Sequence, residues 1–383
     1  MGKWEVGKIA LITMGQSPSS ETYNNQGEGL PFFQGKTDFG LIHPSIRMYC
    51  RVPQKTAKIN DILMSVRAPV GDVNIADCDC CIGRGLVAIS EIPETSYYKY
   101  LFHAFQYYKK DIEKLGVGST FKAISRKDIH TFQIPLPPLE MQRQIADVLD
   151  RASALIEKRK AQIEKLDLLV KSRFIEMFGD PVTNPKGWEI KKLGDIADVG
   201  SSKRVFVEEL VENGIPFYRG TEIGTMAEGE NITPSLFITQ EHYNELRNAT
   251  GAPAVGDLLM PSICPDGRVW RVDTDKPFYF KDGRVLWVHL TDQAVDDVYL
   301  QYALKERLIA DYYSIASGST FAELKIFSLK SVSILLPPPA LQTQYANFIH
   351  CIETQKCLLQ QSIGLLELNF KSLMQKCFQG EMF

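Results

Sequence analysis

The chain lacks a catalytic signature. Neither G-x-S-x-G nor H-E-x-x-H occurs, so neither a nucleophile elbow nor a helix-borne zinc protease site is present. The stretch Gly29 to Thr37 (GLPFFQGKT) approaches a phosphate loop but puts five residues between its glycines, and the matching Gly220-Thr221 has no lysine beside it. A nucleotide triphosphate site is therefore not expected. A nuclease set drawn from Asp180, Glu189 and Lys191 has no equivalent around Glu5, where the similar Trp4-Glu5-Val6-Gly7 lacks the lysine. An amino-methyltransferase needs Asn- or Asp-Pro-Pro-aromatic, whereas both proline pairs here follow leucine and precede Leu139 or Pro339. The six histidines share no spacing.

Other absences bound the class. Of eight cysteines only Cys78 and Cys81 have C-x-x-C spacing, with no second pair, so no zinc site is expected and reduced thiols are the default. The longest uncharged run, Ser331 to Ile352, carries three consecutive prolines and does not suit a membrane span. The opening MGKWEVGKIA has no signal-peptide pattern, which leads to the expectation of a cytoplasmic protein. There is no general basic bias: net charge is −3. The charge is uneven, with 16 basic against 13 acidic side chains in residues 1–137 and 16 against 22 in residues 181–336. A nucleic-acid role would rest on local basic patches.

What is present is one long helical stretch, written twice. From Pro137 to Phe178 no glycine or proline follows the opening pair. Ile145, Leu149, Ala152, Ile156, Ile163, Leu166, Val170 and Met177 recur at steps of four and three, interrupted by Arg159 and Arg173. That is a coiled-coil rhythm, and such a helix reaches about 60 Å at ~1.5 Å per residue. Prolines suit its start, and Gly179-Asp180-Pro181 its end. Adding 200 to each number gives the copy without a gap: Pro137-Pro138 meets Pro337-Pro338, Gln142 meets Gln342, Leu166 meets Leu366 and Phe178 meets Phe378. The second seam runs Tyr345, Ile349, Ile352, Lys356, Leu359, Ile363, Leu366, Phe370, Leu373, Cys377. Packing the two seams antiparallel buries both.

The intervening segments repeat as well. Pro31-Phe32-Phe33-Gln34-Gly35 matches Pro216-Phe217-Tyr218-Arg219-Gly220, Pro69-x-Gly71-x-Val73 matches Pro265-x-Gly267-x-Val269, Gly83-Arg84 matches Gly283-Arg284, and Gly118-Ser119-Thr120-Phe121 matches Gly318-Ser319-Thr320-Phe321. The offset drifts from 184 to 200, so insertions fall in the globular parts and none in the helices. In the first part strands are expected at Lys8–Met14, Ile62–Val66, Val73–Ala76 and Leu86–Ile89, a helix over Tyr97–Leu115, then a turn-rich loop and a short strand. The expected fold is α+β: two similar mixed α/β globular domains (1–137 and 181–336) separated by two long antiparallel helices (138–180 and 337–383) forming a coiled coil, as a pseudo-twofold internal repeat.

PLPPLEMQRQIADVLD (Pro135 to Asp150), its copy LLPPPALQTQYANFI, the KSRFIEMFGDP run ending at Pro181 and the GSTF before each helix resemble the specificity subunit of type I restriction–modification enzymes. The resemblance covers essentially the whole chain. It departs at Met141 and Leu341, where the family usually carries Glu before the Gln, and the second copy is poorer in charge.

The resemblance implies a non-catalytic subunit with two target-recognition domains, each reading one half of a bipartite site on double-stranded DNA. The helix pair would set their separation and dock two methyltransferase (modification) subunits, which restriction subunits join. No cofactor is expected on this chain; S-adenosylmethionine, ATP and Mg would belong to the partners. Arg, Lys, Asn and Gln on loops read base edges best, with Ser, Thr and backbone N–H groups on phosphates. The candidates are Gln34, Lys36, Thr37, Arg67, Arg84, Ser119, Thr120 and Lys122 in the first domain, and Arg219, Thr221, Arg268, Arg271, Arg284, Ser319 and Thr320 in the second. Unshared positions such as Lys36, Arg67 and Arg271 are the better candidates for sequence reading. Competing expectations are the recognition subunit of a type IIB-like system, a coiled-coil scaffold without DNA binding, and a stand-alone methyltransferase, which would need cofactor signatures the chain lacks.

Overall fold

The computed structural model describes residues 2–117, 122–318 and 322–381. Its contacts divide the chain into two units, Met1–Ala161 with Leu359–Phe383, and Gln162–Leu358. Each unit thus combines one globular part with a segment of each long helix.

The long helices run Leu139–Phe178 and Pro339–Gln379, 40 and 41 residues. The first ends at Gly179, whose φ of +83° suits glycine and whose N–H donates back to the Ile175 carbonyl at 2.8 Å. A Cβ there would come within 2.8 Å of the Pro185 ring, so both the backbone and the space require glycine.

In the first unit a four-stranded antiparallel sheet takes the order Ala10–Met14, Leu86–Glu91, Ile62–Ser65, Val73–Ile75. A five-stranded sheet is built around Leu30–Phe33, which runs parallel to Cys80–Ile82. The strand Lys3–Glu5 pairs antiparallel with Gln133–Pro135, so the first strand of the domain lies against the last one before the long helix. Helix Tyr98–Tyr107 covers the four-stranded sheet. Its Tyr100, Leu101, Ala104 and Phe105 join Ile145 and Leu149 of the first long helix and Met374, Cys377 and Phe378 of the second in one core. Burying a side chain of the size of Phe378 or Leu149 is worth roughly 1.5–3 kcal/mol, so the globular part and the helix ends stabilise one another.

The second unit repeats the plan. Its four-stranded sheet is Ala197–Gly200, Val285–Leu290, Leu258–Pro261, Trp270–Arg271, and Glu189–Lys192 pairs with Ser333–Leu336. Helix Asp297–Ile315 shares a core with Val170, Phe174 and Phe178 of the first long helix and Tyr345, Ala346, Ile349 and Ile352 of the second. The two tyrosines at matched places make the same bond. Tyr100 Oη donates to the Pro135 carbonyl and Tyr299 Oη to the Leu335 carbonyl, each at 2.7 Å.

The long helices run antiparallel within each unit. In the first, Ile145 and Leu149 share a core with Cys377 and Phe378 while Lys160 faces Glu367 at 3.6 Å. In the second, Phe174 packs edge-on against Tyr345 while Asp167 accepts from Lys356 at 2.6 Å. Lys356, an interruption in the second seam, is thereby given a partner on the other helix, the kind of polar pair that fixes register. All the expected seam residues are covered to some degree. Ile145, Leu149, Ile156, Val170, Ile349 and Ile352 are buried, and Ile163, Leu166, Leu359, Ile363, Leu366 and Phe370 half-buried.

Three local expectations are corrected. Lys8–Met14 is not all strand: Val6–Ile9 form one helical turn, burying Val6 and Ile9 at i, i+3 spacing, before the strand begins at Ala10. The helix expected over Tyr97–Leu115 breaks at Tyr108 into Tyr98–Tyr107 and Lys109–Lys114. Tyr107 and Tyr108 both lie against the Phe378 ring, at 5.2 and 6.2 Å, and adjacent residues of a straight helix point about 100° apart. The loop before the first long helix contains a further helix, Arg126–Thr131, started by a capping box between Ser125 and Asp128.

Candidate nucleic-acid interface

Four of the first-domain candidates converge around Gly85. After strand Leu30–Phe33 the chain turns, and Asp38 holds the turn by accepting from the Gln34 N–H at 2.7 Å and the Gly35 N–H at 3.4 Å. Gln34 and Thr37 are left exposed. The turn sits on the tight connection carrying Arg84 between strands Cys80–Ile82 and Leu86–Glu91 of the two sheets, where a Cβ on Gly85 would fall 2.3 Å from the Gln34 carbonyl oxygen. The Gly85 carbonyl accepts from Val66 N–H at 2.9 Å, placing exposed Arg67 alongside. Arg67 is bridged to Ala123, and the Lys122 carbonyl accepts from Ala68 at 3.0 Å. Gln34, Arg67, Arg84 and Lys122 thus border one rim through backbone contacts and stay exposed, with the Gln34 amide donating weakly to the Met48 sulfur at 4.0 Å. Ser17, which the sequence does not single out, supports the rim by accepting from the Arg84 N–H at 3.2 Å.

Lys36 differs. Its ammonium lies 2.8 Å from Asp72, which also binds Lys109 at 2.7 Å. It belongs to that ion-paired bridge rather than to the Gly85 rim.

The second domain builds the equivalent rim with other side chains. Strand Ile215–Tyr218 leads into helix Gly220–Ala227. A Cβ on Gly220 would meet the Arg284 carbonyl at 3.1 Å, so Arg219 and exposed Thr221 lie beside Arg284. The Arg284 carbonyl accepts from Ser262 N–H at 2.9 Å, as Gly85 does from Val66, and Leu86 pairs with Ser65 as Val285 pairs with Pro261, so Arg284 takes the place of Gly85 and the expected match of Arg84 with Arg284 is corrected by one residue. Exposed Ile263 follows Ser262 as Arg67 follows Val66.

The charges on this second rim are paired. Glu323 accepts from Lys325 at 2.6 Å and Ser262 at 2.9 Å, with Arg284 at 3.4 Å. The Lys325 hydrogen bond, ahead of burial, which opposes it, holds the Glu323 carboxyl below the usual range. Arg219 is clamped by Glu222; burial works to raise that carboxyl, but the bonds from Arg219 prevail and it stays low. Glu323 and Lys325 are missed by sequence reasoning because the first copy has Ala123 and Ser125 in their places.

Two second-domain candidates are held away from such a surface. Arg271 is turned onto Asp297, 3.3 Å away, with 17% of its side chain exposed and its Nε buried. A guanidinium so committed serves the fold, and Arg271 is withdrawn from the base-reading set. Arg268 pairs with Asp266 at 2.9 Å and is packed over Gly224, where a Cβ would come within 2.8 Å of it. Ser119, Thr120, Ser319 and Thr320 lie outside the described residues.

Among the described residues no group of His, Cys, Asp or Glu is arranged to hold a metal, and no helix is long and apolar enough to cross a membrane. Cys81 lies in a buried strand, and burial pushes its thiol up.

The comparisons with known proteins agree with this duplicated frame. A putative type I restriction enzyme MjaX specificity subunit of Methanocaldococcus jannaschii is 49% identical over 170 residues, 42% of this chain. The match spans 40% of that relative's length. The type I restriction enzyme MjaIX specificity subunit of the same organism is 26% identical over 99% of this chain and 93% of its own. The crystal structure of a type I restriction–modification system S subunit from M. genitalium shares the fold, with a TM-score of 0.61 at 16% identity, covering 98% of this chain and 96% of that one. A chain from a study of complex assembly and conformational transition of the type I R-M system also has a TM-score of 0.61, at 18% identity and 100% and 98% coverage. The family described as type I restriction modification DNA specificity domain matches residues 1–165 and again 185–368, and the chain belongs to that family.

Proposed function

We propose that this chain is the DNA-specificity subunit of a type I restriction–modification complex and carries no catalysis itself. Each globular domain reads one half of a bipartite site, and the long helices set the gap between halves and dock methyltransferase subunits. Two copies of that partner, with restriction subunits added, supply methyl transfer from S-adenosylmethionine and ATP-dependent cleavage. Such a complex works on chromosomal DNA in the cytoplasm.

One observation carries this reading. The same rim is framed twice by matched backbone contacts, at Gly85–Val66 and Arg284–Ser262, while the side chains at matched places differ: Gln34, Arg67 and Ala123 in one, Arg219, Ile263 and Glu323 in the other. A shared frame with unshared side chains is what two readers of different half-sites require, because sequence is read by side chains on base edges and register by the frame. The test is exchange of residues 1–137 for those of another family member, followed by mapping of methylated sites. One half of the target is expected to change. Alteration of both halves, or of neither, counts against the reading.

A further inference from the structure

The first unit holds a groove that the DNA-reading rim does not use. It has a volume of about 780 Å³ and runs between the second long helix, the helices around Tyr107 and Lys109, and the loop at Phe39–Leu41. Tyr107, Phe370 and Met374 give it an apolar floor. Leu41 at its edge is 66% exposed, a large aliphatic side chain held in water beside an apolar surface. Four lysines line it, Lys36, Lys109, Lys110 and Lys371, against the single acid Asp72. Asp72 is shared by Lys36 and Lys109, so the lining keeps a net positive charge while Lys110 and Lys371 stay exposed.

We infer that this groove receives an acidic amphipathic segment of the methyltransferase partner. The inference rests on the proposed function and adds to it a place and a chemistry. Apolar floor and cationic edges together fit a helix that buries one face and lines its flanks with Asp and Glu. A DNA backbone would satisfy the lysines but leave Tyr107, Phe370 and Met374 against hydrated phosphates. Among the described residues the ion-paired bridge at its wall belongs to the first unit alone. By the Pro-x-Gly-x-Val register the place of Asp72 is taken in the second domain by Arg268, which pairs with Asp266 instead, so the lysine–aspartate–lysine bridge is not repeated.

The test uses the full chain with its cognate methyltransferase subunit. Lys110→Glu with Lys371→Glu changes two exposed side chains and spares the Asp72 bridge. Association at low salt is expected to slow roughly tenfold and to lose much of its salt dependence, with binding of duplex DNA by the chain alone unchanged. A photo-crosslinker in place of Leu41 is expected to label one Asp/Glu-rich partner segment per chain. Unchanged association, or a crosslink to DNA, overturns the groove assignment alone. Failure of the unaltered chain to bind the methyltransferase at all overturns both this inference and the function on which it rests.

Discussion

The side-chain amide of Gln142 donates to the carbonyl of Pro137, 2.9 Å away, inside the first turn of the long helix. The same amide donates to the Thr95 carbonyl at 3.0 Å and accepts from the Tyr97 N–H at 2.9 Å. Gln342 repeats the arrangement with Pro337, Ala294 and Asp296, at 2.8, 3.5 and 2.9 Å. Both glutamines are essentially fully buried. Each ties the start of a long helix to the loop before the helix that covers its domain's sheet. The proline pair and the glutamine are thus one device: the prolines set the chain direction, and the buried glutamine satisfies backbone groups of the helix start and of the adjoining loop.

Replacing Gln142 by Leu is expected to destabilise the first unit by roughly 1–3 kcal/mol, since three backbone groups, one buried and two half-buried, lose their partner. Gln342→Leu is expected to do the same to the second unit, somewhat less because its bond to Ala294 is long. Amide hydrogen exchange read separately over residues 86–105 and 285–304 measures each effect. Equal loss of protection in both segments from either single change would show that the glutamines do not act locally.

The glutamines also mark the limit of what sequence reasoning reaches. Their recurrence at an ungapped spacing of 200 was legible, as was the seam from Ile145 to Val170, because strict periodicity leaves few structures that can bury it. The role of Gln142 was not, since its partners Thr95 and Tyr97 lie in a loop with no signal of its own. The break at Tyr108 depends on Phe378, at the far end of the chain. Arg67 and Arg271 look alike as unshared arginines, yet only a fold that brings Asp297 to one of them separates an exposed side chain from a buried ion pair. Backbone frames repeat and can be aligned; the partners of a charged side chain are chosen by tertiary contacts.

The rim itself supplies the next test. Arg67→Ala and Lys122→Ala are expected to weaken DNA binding with little effect on stability, because both side chains are exposed. If Arg67 reads a base, its removal costs roughly 1–3 kcal/mol and relaxes one position of one half-site, whereas a Lys122 that holds a phosphate weakens all sequences alike when truncated. Arg271→Met is expected to lower the stability of the second unit and leave the recognised sequence unchanged. Titration of duplex libraries with each variant distinguishes these outcomes.

Gly85→Ala probes the frame rather than a reader. The added methyl falls 2.3 Å from the Gln34 carbonyl oxygen, a backbone atom that cannot swing aside, so the Asp38-held turn must shift. A cost of roughly 1–3 kcal/mol is expected, as for other overpacked sites, together with weaker discrimination in the half-site read by the first domain. Retained discrimination in that half would place base reading elsewhere than on this rim.

Acid should loosen the first unit through Asp150. Burial pushes this carboxyl up, but hydrogen bonds from His103 at 2.8 Å and Lys99 at 2.6 Å outweigh it, and the net shift is downward. A carboxyl depressed in the folded state adds stability that is present above its unfolded value, ~3.9, and lost as pH falls through the folded one. The gap in urea midpoint between the natural chain and Asp150→Asn is therefore expected to hold steady near neutrality and to close below about pH 4. The second unit has His350 at the matching position, so its unfolding provides the control. A gap that stays open in acid would mean that Asp150 contributes by packing and not by charge.

The uninterrupted length of the two helices makes the final prediction quantitative. Each is a single helix of 40 or 41 residues, and the insertions that separate the two copies all fall outside them. Removing one heptad from the middle of each preserves the face on which seam residues such as Ile163 and Ile363 lie, because seven residues return the seam to the same side. It shortens each helix by about 10 Å, roughly three base pairs of duplex at 3.4 Å per step. If the helices set the distance between the readers, methylation of a library with varied gaps should move to sites about three base pairs closer together, with both half-sites unchanged in sequence. Removing the heptad from one helix alone breaks the match between the seams and should abolish binding rather than shift it. An unaltered gap in the double deletion would assign the spacing to the globular domains or to a partner subunit.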